Sequence, residues 1–450
     1  MYGLYGVLLR LAWAVVLPYQ IVSARLAGRP GPPVRERFAV GPPPDGLVPG
    51  GFWVHAVSVG EVRLALSTIA ALRRRWPGRP IHLTTCTPTG RGLALEARAA
   101  GRPGAPDSLS DAPIDLPGPV GRFLDRTRPR CLLLIETELW PNMLRLAGAR
   151  GVAIAVLNGR ISPRALPRYR RARALFTRAL GHVALFAMQS EEDAVRIRSL
   201  GARPAAVHVP GNMKFDLPRP AATAATVRRR LGFEAAGSIL VAGSSARGEE
   251  AAIIEAFLAL RRNEPGARLV VAPRHPEDVP AAEEALAAAG LVARRYSATS
   301  AAEGIASGAA RAVGGGGAAG AAADAVVVDV LGVLPEIYVA AALAFVGGSL
   351  VPRGGQNLLE PAAVGCPVLF GPLVDNWRAA ADALLRAGGG FMVDDGRELA
   401  GQVTRLAADP AARRQAGERA LAVVESNRGA LERTLDLLAG QVGPAAGTAA

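Results

Sequence analysis

Residues 52–61 read FWVHAVSVGE. The run 52–59 has the length and apolar character of a buried strand, and Gly60-Glu61 then opens a helix. The same unit recurs at 81–86 (IHLTTC), 131–136 (CLLLIE), 152–158 (VAIAVLN), 182–189 (HVALFAMQ) and 206–211 (AVHVPG). Continuous apolar runs separated by helical stretches predict a parallel sheet covered on both faces. Asp216-Leu-Pro-Arg-Pro220 breaks the pattern and reads as a linker.

A second series follows at 238–244 (SILVAGS), 267–274 (ARLVVAPR), 325–330 (AVVVDV), 343–348 (LAFVGG) and 367–371 (PVLFG). Helical stretches such as 249–263 separate these runs. Two similar α/β halves predict twin Rossmann-like domains around a cleft, with ligands at the C-terminal ends of strands. Residues 298–323 are rich in Ala, Gly and Ser and read as a flexible insertion. Gly315, Gly317 and Gly320 match G-x-G-x-x-G, but no strand precedes them, so the dinucleotide reading is rejected.

The chain has 450 residues, which fits two domains of ordinary size. A hydrophobic share of 50% and a charged share of 20% exclude disorder throughout. Lys and Arg number 52 against 38 Asp and Glu, a net charge of +14. That surplus favours an anionic partner: nucleic acid, an anionic membrane face or a phosphorylated substrate. Few aromatics interleave with the basic stretches, which weighs against nucleic acid. Cys86, Cys131 and Cys366 form no C-x-x-C pair and read as reduced thiols of a cytoplasmic compartment.

Residues 4–22 (LYGVLLRLAWAVVLPYQIV) have the apolar length of a bilayer span, interrupted by Arg10 and Pro18. No small-residue cleavage site follows. Arg25, Arg29, Arg35 and Arg37 face only Glu36 across the next stretch, so this flank is expected on the cytoplasmic side. Two membrane readings stand: a single span, or a helix lying in the interface. A buried first helix is the soluble alternative. The expected organisation is a membrane anchor over 1–25, domains over 35–216 and 217–440, and a disordered tail over 441–450.

Four motifs sit where α/β proteins place their chemistry. In His55-Ala-Val-Ser-Val-Gly-Glu61 a carboxylate stands at a strand-to-helix turn, placed to take a proton from a hydroxyl or simply to complement the helix dipole. Ile135-Glu-Thr-Glu-Leu-Trp-Pro141 brings Glu136 and Glu138 just past a strand, as substrate-orienting groups or as a capping cluster. Gly211-Asn-Met-Lys-Phe-Asp216 ends the first half with Lys214, a candidate partner for an anion or a solvated loop lysine. In the second half, the turns at Ala242-Gly-Ser-Ser245, Ala272-Pro-Arg-His-Pro276 and Gly354-Gly-Gln-Asn-Leu-Leu-Glu-Pro361 precede helices and offer N–H groups to phosphate. Arg274 adds a bidentate donor, and Asn357 and Glu360 lie three apart on one helix face. No metal-binding spacing or nucleophile elbow occurs.

Taken together these stretches resemble the 3-deoxy-D-manno-octulosonic acid (Kdo) transferases of lipopolysaccharide biosynthesis. The resemblance rests on WVHAVSVGEV (53–62), TPTG (87–90), ETELWPN (136–142), NGRIS (158–162), GNMKFD (211–216), PRHPE (273–277), FVGGSL (345–350) and NLLEPAAVGCPVLFGP (357–372), in family order. It implies a GT-B glycosyltransferase whose N-terminal domain takes the acceptor and whose C-terminal domain takes CMP-Kdo. The implied acceptor is the tetra-acylated lipid A precursor at the cytoplasmic side of the inner membrane. An inverting reaction without metal or other cofactor is implied, and no nucleic-acid partner. By position, Glu61 resembles the general base, and Glu136 and Lys214 the residues that stabilise the transition state. Pro273, Arg274, Gly332, Val333, Leu334, Asn357, Leu358, Leu359 and Glu360 resemble the CMP contacts.

The chain departs from the family pattern at Val333, where an acid is usual, and at Gln356, where the pattern has His. Two other functions stay open on the residues alone. One is a different nucleotide-sugar transferase or epimerase. The other is a membrane-attached binding protein with a dead site. The leading reading predicts that EDTA leaves sugar transfer unchanged in a radiolabel assay. Loss on chelation, restored by a divalent ion, contradicts it.

Overall fold

All four residues of Phe52–His55 (β1) are buried, as the run at 52–59 predicts. The strand stops earlier than its apolar pattern, because Ser58 caps the helix Val59–Arg75. The computed structural model describes residues 1–26, 28, 31–299 and 323–442. The expected flexible insertion lies almost wholly outside the described residues, as do positions 443–450 of the expected tail. Gln441 and Val442 are helical, which corrects the start of that tail.

The chain divides into two units, Met1–Asp216 with the segment from Arg428 onward, and Leu217–Asn427. The first unit adds β2 (Ile81–Thr85), β3 (Ser108–Asp111), β4 (Cys131–Ile135), β5 (Ala153–Gly159), β6 (Leu185–Met188) and β7 (Val207–His208). Its seven strands run in the order β3-β2-β1-β4-β5-β6-β7. The second unit holds β8 (Ile239–Ser245), β9 (Arg268–Pro273), β10 (Ala293–Arg295), β11 (Ala325–Val327), β12 (Leu343–Val346), β13 (Val368–Phe370) and β14 (Gly390–Met392). Its order is β10-β11-β9-β8-β12-β13-β14. The ladders of both sheets are parallel, from β1 with its neighbours to β13 with β14. Leu132, Leu134 and Ile154 fill one face of the first sheet, and Val54, Leu133 and Leu157 the other.

The C-terminal segment corrects the expected boundary at residue 440. The Asp216 carboxylate accepts the N–H groups of Gly429 and Leu431, both at 2.6 Å. That caps the helix Ala430–Val442, whose Leu435 and Leu438 enter the core of the first unit. The apolar pattern of this helix is visible in the sequence, but the surface it packs on is not.

The N-terminal helix Tyr2–Leu26 is long and apolar enough to cross a membrane, with a mean hydropathy of 1.6 and 0% of its apolar window buried. It is therefore not the buried first helix that the sequence left open. The cores of the first unit start at Ala39 and Phe52. Deleting residues 1–22 is expected to leave both units folded, with a melting temperature within a few degrees of the full chain. An unfolded truncate, read by circular dichroism and thermal melting, contradicts that placement.

Candidate active site

In the first sheet β1 and β4 are neighbours, yet the chain passes through β2 and β3 between them. This is a topological switch point, where α/β sheets open a crevice outside the strand ends. Glu61 follows β1 and Glu136 follows β4, so the switch brings the two sequence-predicted carboxylates together.

Glu61 stands in the first turn of its helix, 8% exposed. Its N–H donates to Ser58 Oγ at 3.3 Å. The Ser58 hydroxyl donates back to Oε1 at 2.7 Å, and the Val57 N–H donates to Oε2 at 2.8 Å. This is a variant of the capping box, so the plain reading of Glu61 as a helix-terminal group is also true. Each carboxylate oxygen has two acceptor sites, so Glu61 retains capacity for a substrate hydroxyl. Burial raises its pKa above the ordinary range, the Val57 and Ser58 hydrogen bonds oppose that, and the Glu136 charge adds to it.

Glu136 adopts a left-handed backbone with φ 61°. Few residues other than Gly take this conformation, and outliers of this kind concentrate at functional sites. Its carboxylate pairs with Lys214 Nζ at 2.5 Å. Lys214 lies on the short turn Met213–Phe215. That turn is fixed by two side chains. Asn158 Oδ1 accepts the Met213 N–H at 2.8 Å, and Asn212 Oδ1 accepts the Lys214 N–H at 3.0 Å. Asn158 is itself left-handed, with φ 58°, at a register shift in β5. Sequence reasoning assigned Asn158 no role. Its signal was an Asn at a strand end, the residue type that tolerates this backbone best after Gly.

A cavity of about 240 Å³ opens here, lined by Glu61, Glu136, Thr137, Glu138, Arg160 and Tyr169 among others. The Thr137 hydroxyl donates to the Arg160 carbonyl, which ties the acidic turn to the loop after β5. Glu138 accepts the Trp140 indole N–H at 2.8 Å. Its pKa is pushed up to about 7, by burial first and then by the Glu61 charge, with a smaller contribution from Glu136. His55, which opens the first motif, is fully buried and bonded through Nδ1 to Thr84 Oγ1 at 2.9 Å. Burial lowers its pKa to about 3, so it is a neutral support under Trp140 rather than a proton carrier.

In the second unit the switch point falls between β8 and β12. Pro273 ends β9, and the Arg274 N–H donates to the Ser245 carbonyl at 2.8 Å. Gly332, with φ 89°, and Val333 lead into the helix Leu334–Ile337. Asn357 Oδ1 accepts the Leu359 N–H, and its Nδ2 donates to Glu360 Oε1, both at 3.0 Å. Leu358 and Leu359 are buried, so their side chains belong to the core. The predicted nucleotide-binding residues thus share the C-terminal edge of one sheet, on β9 and after β11 and β12.

Sequence reasoning missed Glu249, which is fully buried there. It accepts the N–H groups of Ala246, Gly348, Ser349 and Leu350 at 2.8–3.0 Å, joining the loops after β8 and β12. A Cβ at Gly347 would stand 2.5 Å from Ser245 Cα, so only glycine permits this approach. Among the described residues no cluster of His, Cys, Asp and Glu is arranged to hold a metal ion.

The family profile described as 3-Deoxy-D-manno-octulosonic-acid transferase (kdotransferase) matches residues 33–217. The chain is 37% identical to the 3-deoxy-D-manno-octulosonic acid transferase of Bordetella pertussis, over 86% of each chain. It is 29% identical to the Haemophilus influenzae protein of the same name, over 88% of this chain and 87% of the relative. Among solved structures, a glycosyltransferase from Rickettsia africae matches with a TM-score of 0.55 and 10% identity, covering 88% of this chain and 99% of its own. That likeness concerns the fold, two Rossmann-like units of the GT-B type.

The Glu138 geometry generates a stability test. Its folded pKa, about 7, lies above the ordinary 4.5, so the folded state binds a proton that the unfolded state releases earlier. Its favourable contribution is complete below pH 4.5 and is lost as pH rises through about 7. Glu138→Gln mimics the protonated form. Its melting temperature is expected to match wild type near pH 4 and to exceed it by a few degrees at pH 8. A difference that does not change with pH contradicts the shift.

Proposed function

The chain belongs to the Kdo transferase family, and on that premise we propose that it transfers Kdo from CMP-Kdo to a tetra-acylated, bis-phosphorylated lipid A precursor, lipid IVA. The reaction is inverting and metal-independent, and it runs at the cytoplasmic side of the inner membrane. The observation that carries this reading is the cavity beside the switch point that Glu61 and Glu136 both line, with Lys214 ion-paired to Glu136.

The acceptor hydroxyl attacks the anomeric carbon of Kdo while the bond from that carbon to the CMP phosphate oxygen breaks. The hydroxyl proton passes to a Glu61 oxygen, and CMP leaves with the bonding electron pair. Positive charge develops on the sugar as the bond to CMP lengthens, as in other glycosyl transfers. Glu136 offers it a carboxylate, and Lys214 offers a cation to the anionic groups of the donor. The ion pair keeps both in register, so little reorganisation accompanies the reaction. A monophosphate leaving group has no diphosphate for a metal to bridge. Pro273, Arg274, the Gly332–Leu334 turn and Asn357–Glu360 are proposed to hold CMP through backbone N–H groups, the guanidinium and the carboxylate.

The test is Glu61→Gln, assayed by labelled Kdo transfer and by calorimetric titration with CMP. Transfer at pH 7–8 is expected to fall ~10²–10⁴-fold, the usual share of general-base catalysis, with CMP affinity nearly unchanged. A fall below tenfold contradicts the assignment of the base.

A further inference from the structure

We infer that the N-terminal helix does not cross the membrane but lies along an anionic lipid surface as a monotopic anchor, docked to the first unit over residues 2–13. This rests on the proposed membrane location and specifies its geometry. Three contacts fix the helix. The Tyr5 hydroxyl donates to Asp115 Oδ2 at 2.9 Å. The Arg145 guanidinium stands over the Tyr2 ring at 4.9 Å, and that of Arg37 over the Trp13 ring at 5.7 Å. These anchors belong to the folded unit. Asp115 also accepts the N–H groups of Asn142 and Met143, at the start of the helix that follows the Glu136–Glu138 turn. Arg37 donates to the Cys86 carbonyl.

Length then excludes a span. Residues docked on Asp115, Arg145 and Arg37 cannot sit in hydrocarbon without drawing charged side chains in with them. The undocked remainder, residues 14–26, rises about 20 Å at 1.5 Å per residue, short of a hydrocarbon core of about 30 Å. The outward face agrees. Leu4, Leu8, Leu11, Val15, Tyr19 and Val22 are exposed by 54–72%. Their spacing of three and four makes one stripe, on a different face from Tyr2, Tyr5 and Trp13. A helix with one docked face and one apolar face suits the lipid interface.

Charge identifies the surface as anionic. Positions 139–190 contain no Asp or Glu. Arg164, Arg168, Arg170, Arg171, Arg173 and Arg178 are all exposed, and among the described residues none of them forms an ion pair. Arg178 lies within electrostatic reach of Tyr2, so this band adjoins the helix. Arg160 and Tyr169 of the same segment line the cavity. Apolar stripe, basic band and cavity mouth therefore belong to one region of the first unit, and a lipid-borne acceptor would meet the carboxylates at headgroup level.

The test uses the full-length chain, with Cys86→Ala and either Gly3→Cys or Gly31→Cys. Both glycines are exposed with open space around them, and the remaining Cys131 and Cys366 are buried. A membrane-impermeant maleimide is applied to spheroplasts and to inverted inner-membrane vesicles. Both introduced thiols are expected to react in inverted vesicles and neither in spheroplasts. Reaction of the Gly3→Cys thiol in spheroplasts but not in inverted vesicles means a span and overturns the inference while leaving the membrane reading intact. Recovery of the protein in the soluble fraction overturns both. In a second arm, Arg170→Ala/Arg171→Ala/Arg173→Ala is expected to weaken binding to phosphatidylglycerol vesicles severalfold and to leave binding to phosphatidylcholine vesicles unchanged. An equal effect on both contradicts the role of the basic band.

Discussion

The ion pair between Lys214 and Glu136 is held from both ends. Glu136 owes its direction to a left-handed residue at the end of β4, a backbone state that costs about 1–3 kcal/mol outside glycine. Lys214 owes its place to Asn158, a second left-handed residue one strand further along. Two residues past the lysine, Asp216 caps the returning C-terminal helix. One short turn thus joins the acidic loop, the end of β5 and the last helix of the first unit. Removing either member of the pair would leave a half-buried charge without its counter-ion, and such losses exceed those of exposed pairs.

Both sheets use a comparable device where their strand order switches. Glu136 stands beside the first switch point, and Ser244, with φ 51° at a register shift in β8, beside the second. The loops that follow are secured differently. In the first unit a cavity remains, and its carboxylates are bonded only in part. In the second, Glu249 takes up four backbone N–H groups and closes the loops upon each other. The first arrangement leaves the carboxylates acceptor capacity of the kind the proposed proton transfer requires. The second yields a rigid rim of turns of the kind that suits a nucleotide phosphate.

The central strands were legible because burial on both faces leaves continuous apolar runs, as at Phe52–His55 and Cys131–Ile135. Strands β3, β10 and β14 were not. β3 reads SLSD yet is wholly buried, because Ser108 and Ser110 bond the two ring nitrogens of His82 at 2.7 and 3.0 Å. A polar strand satisfied by a distant histidine has no hydrophobic signature. β10 and β14 are three-residue edge strands, too short for periodicity to register. Among the site residues, Glu61, Glu136 and Lys214 were legible from motif position. Their pairing was not, since it depends on which strands become neighbours. Glu249 fell within a stretch read only as helical, and only the fold reveals the amides it gathers. Likewise, composition gave the N-terminal segment its apolar length, while its docked face appears only through Tyr2, Tyr5 and Trp13.

Chemistry and location meet at Asp115, which bonds Tyr5 on the apolar helix and caps the helix after the acidic turn. The proposed reaction, between a nucleotide sugar and a lipid-borne hydroxyl, would use such a connection between the proposed lipid surface and the proposed base. The most direct measurement supplies the purified chain with CMP-Kdo, labelled in the sugar, and lipid IVA in detergent, following both products by chromatography. The proposed reaction predicts that label enters the lipid and CMP appears in equal amount. CMP release without lipid labelling, or no turnover of CMP-Kdo, would contradict it.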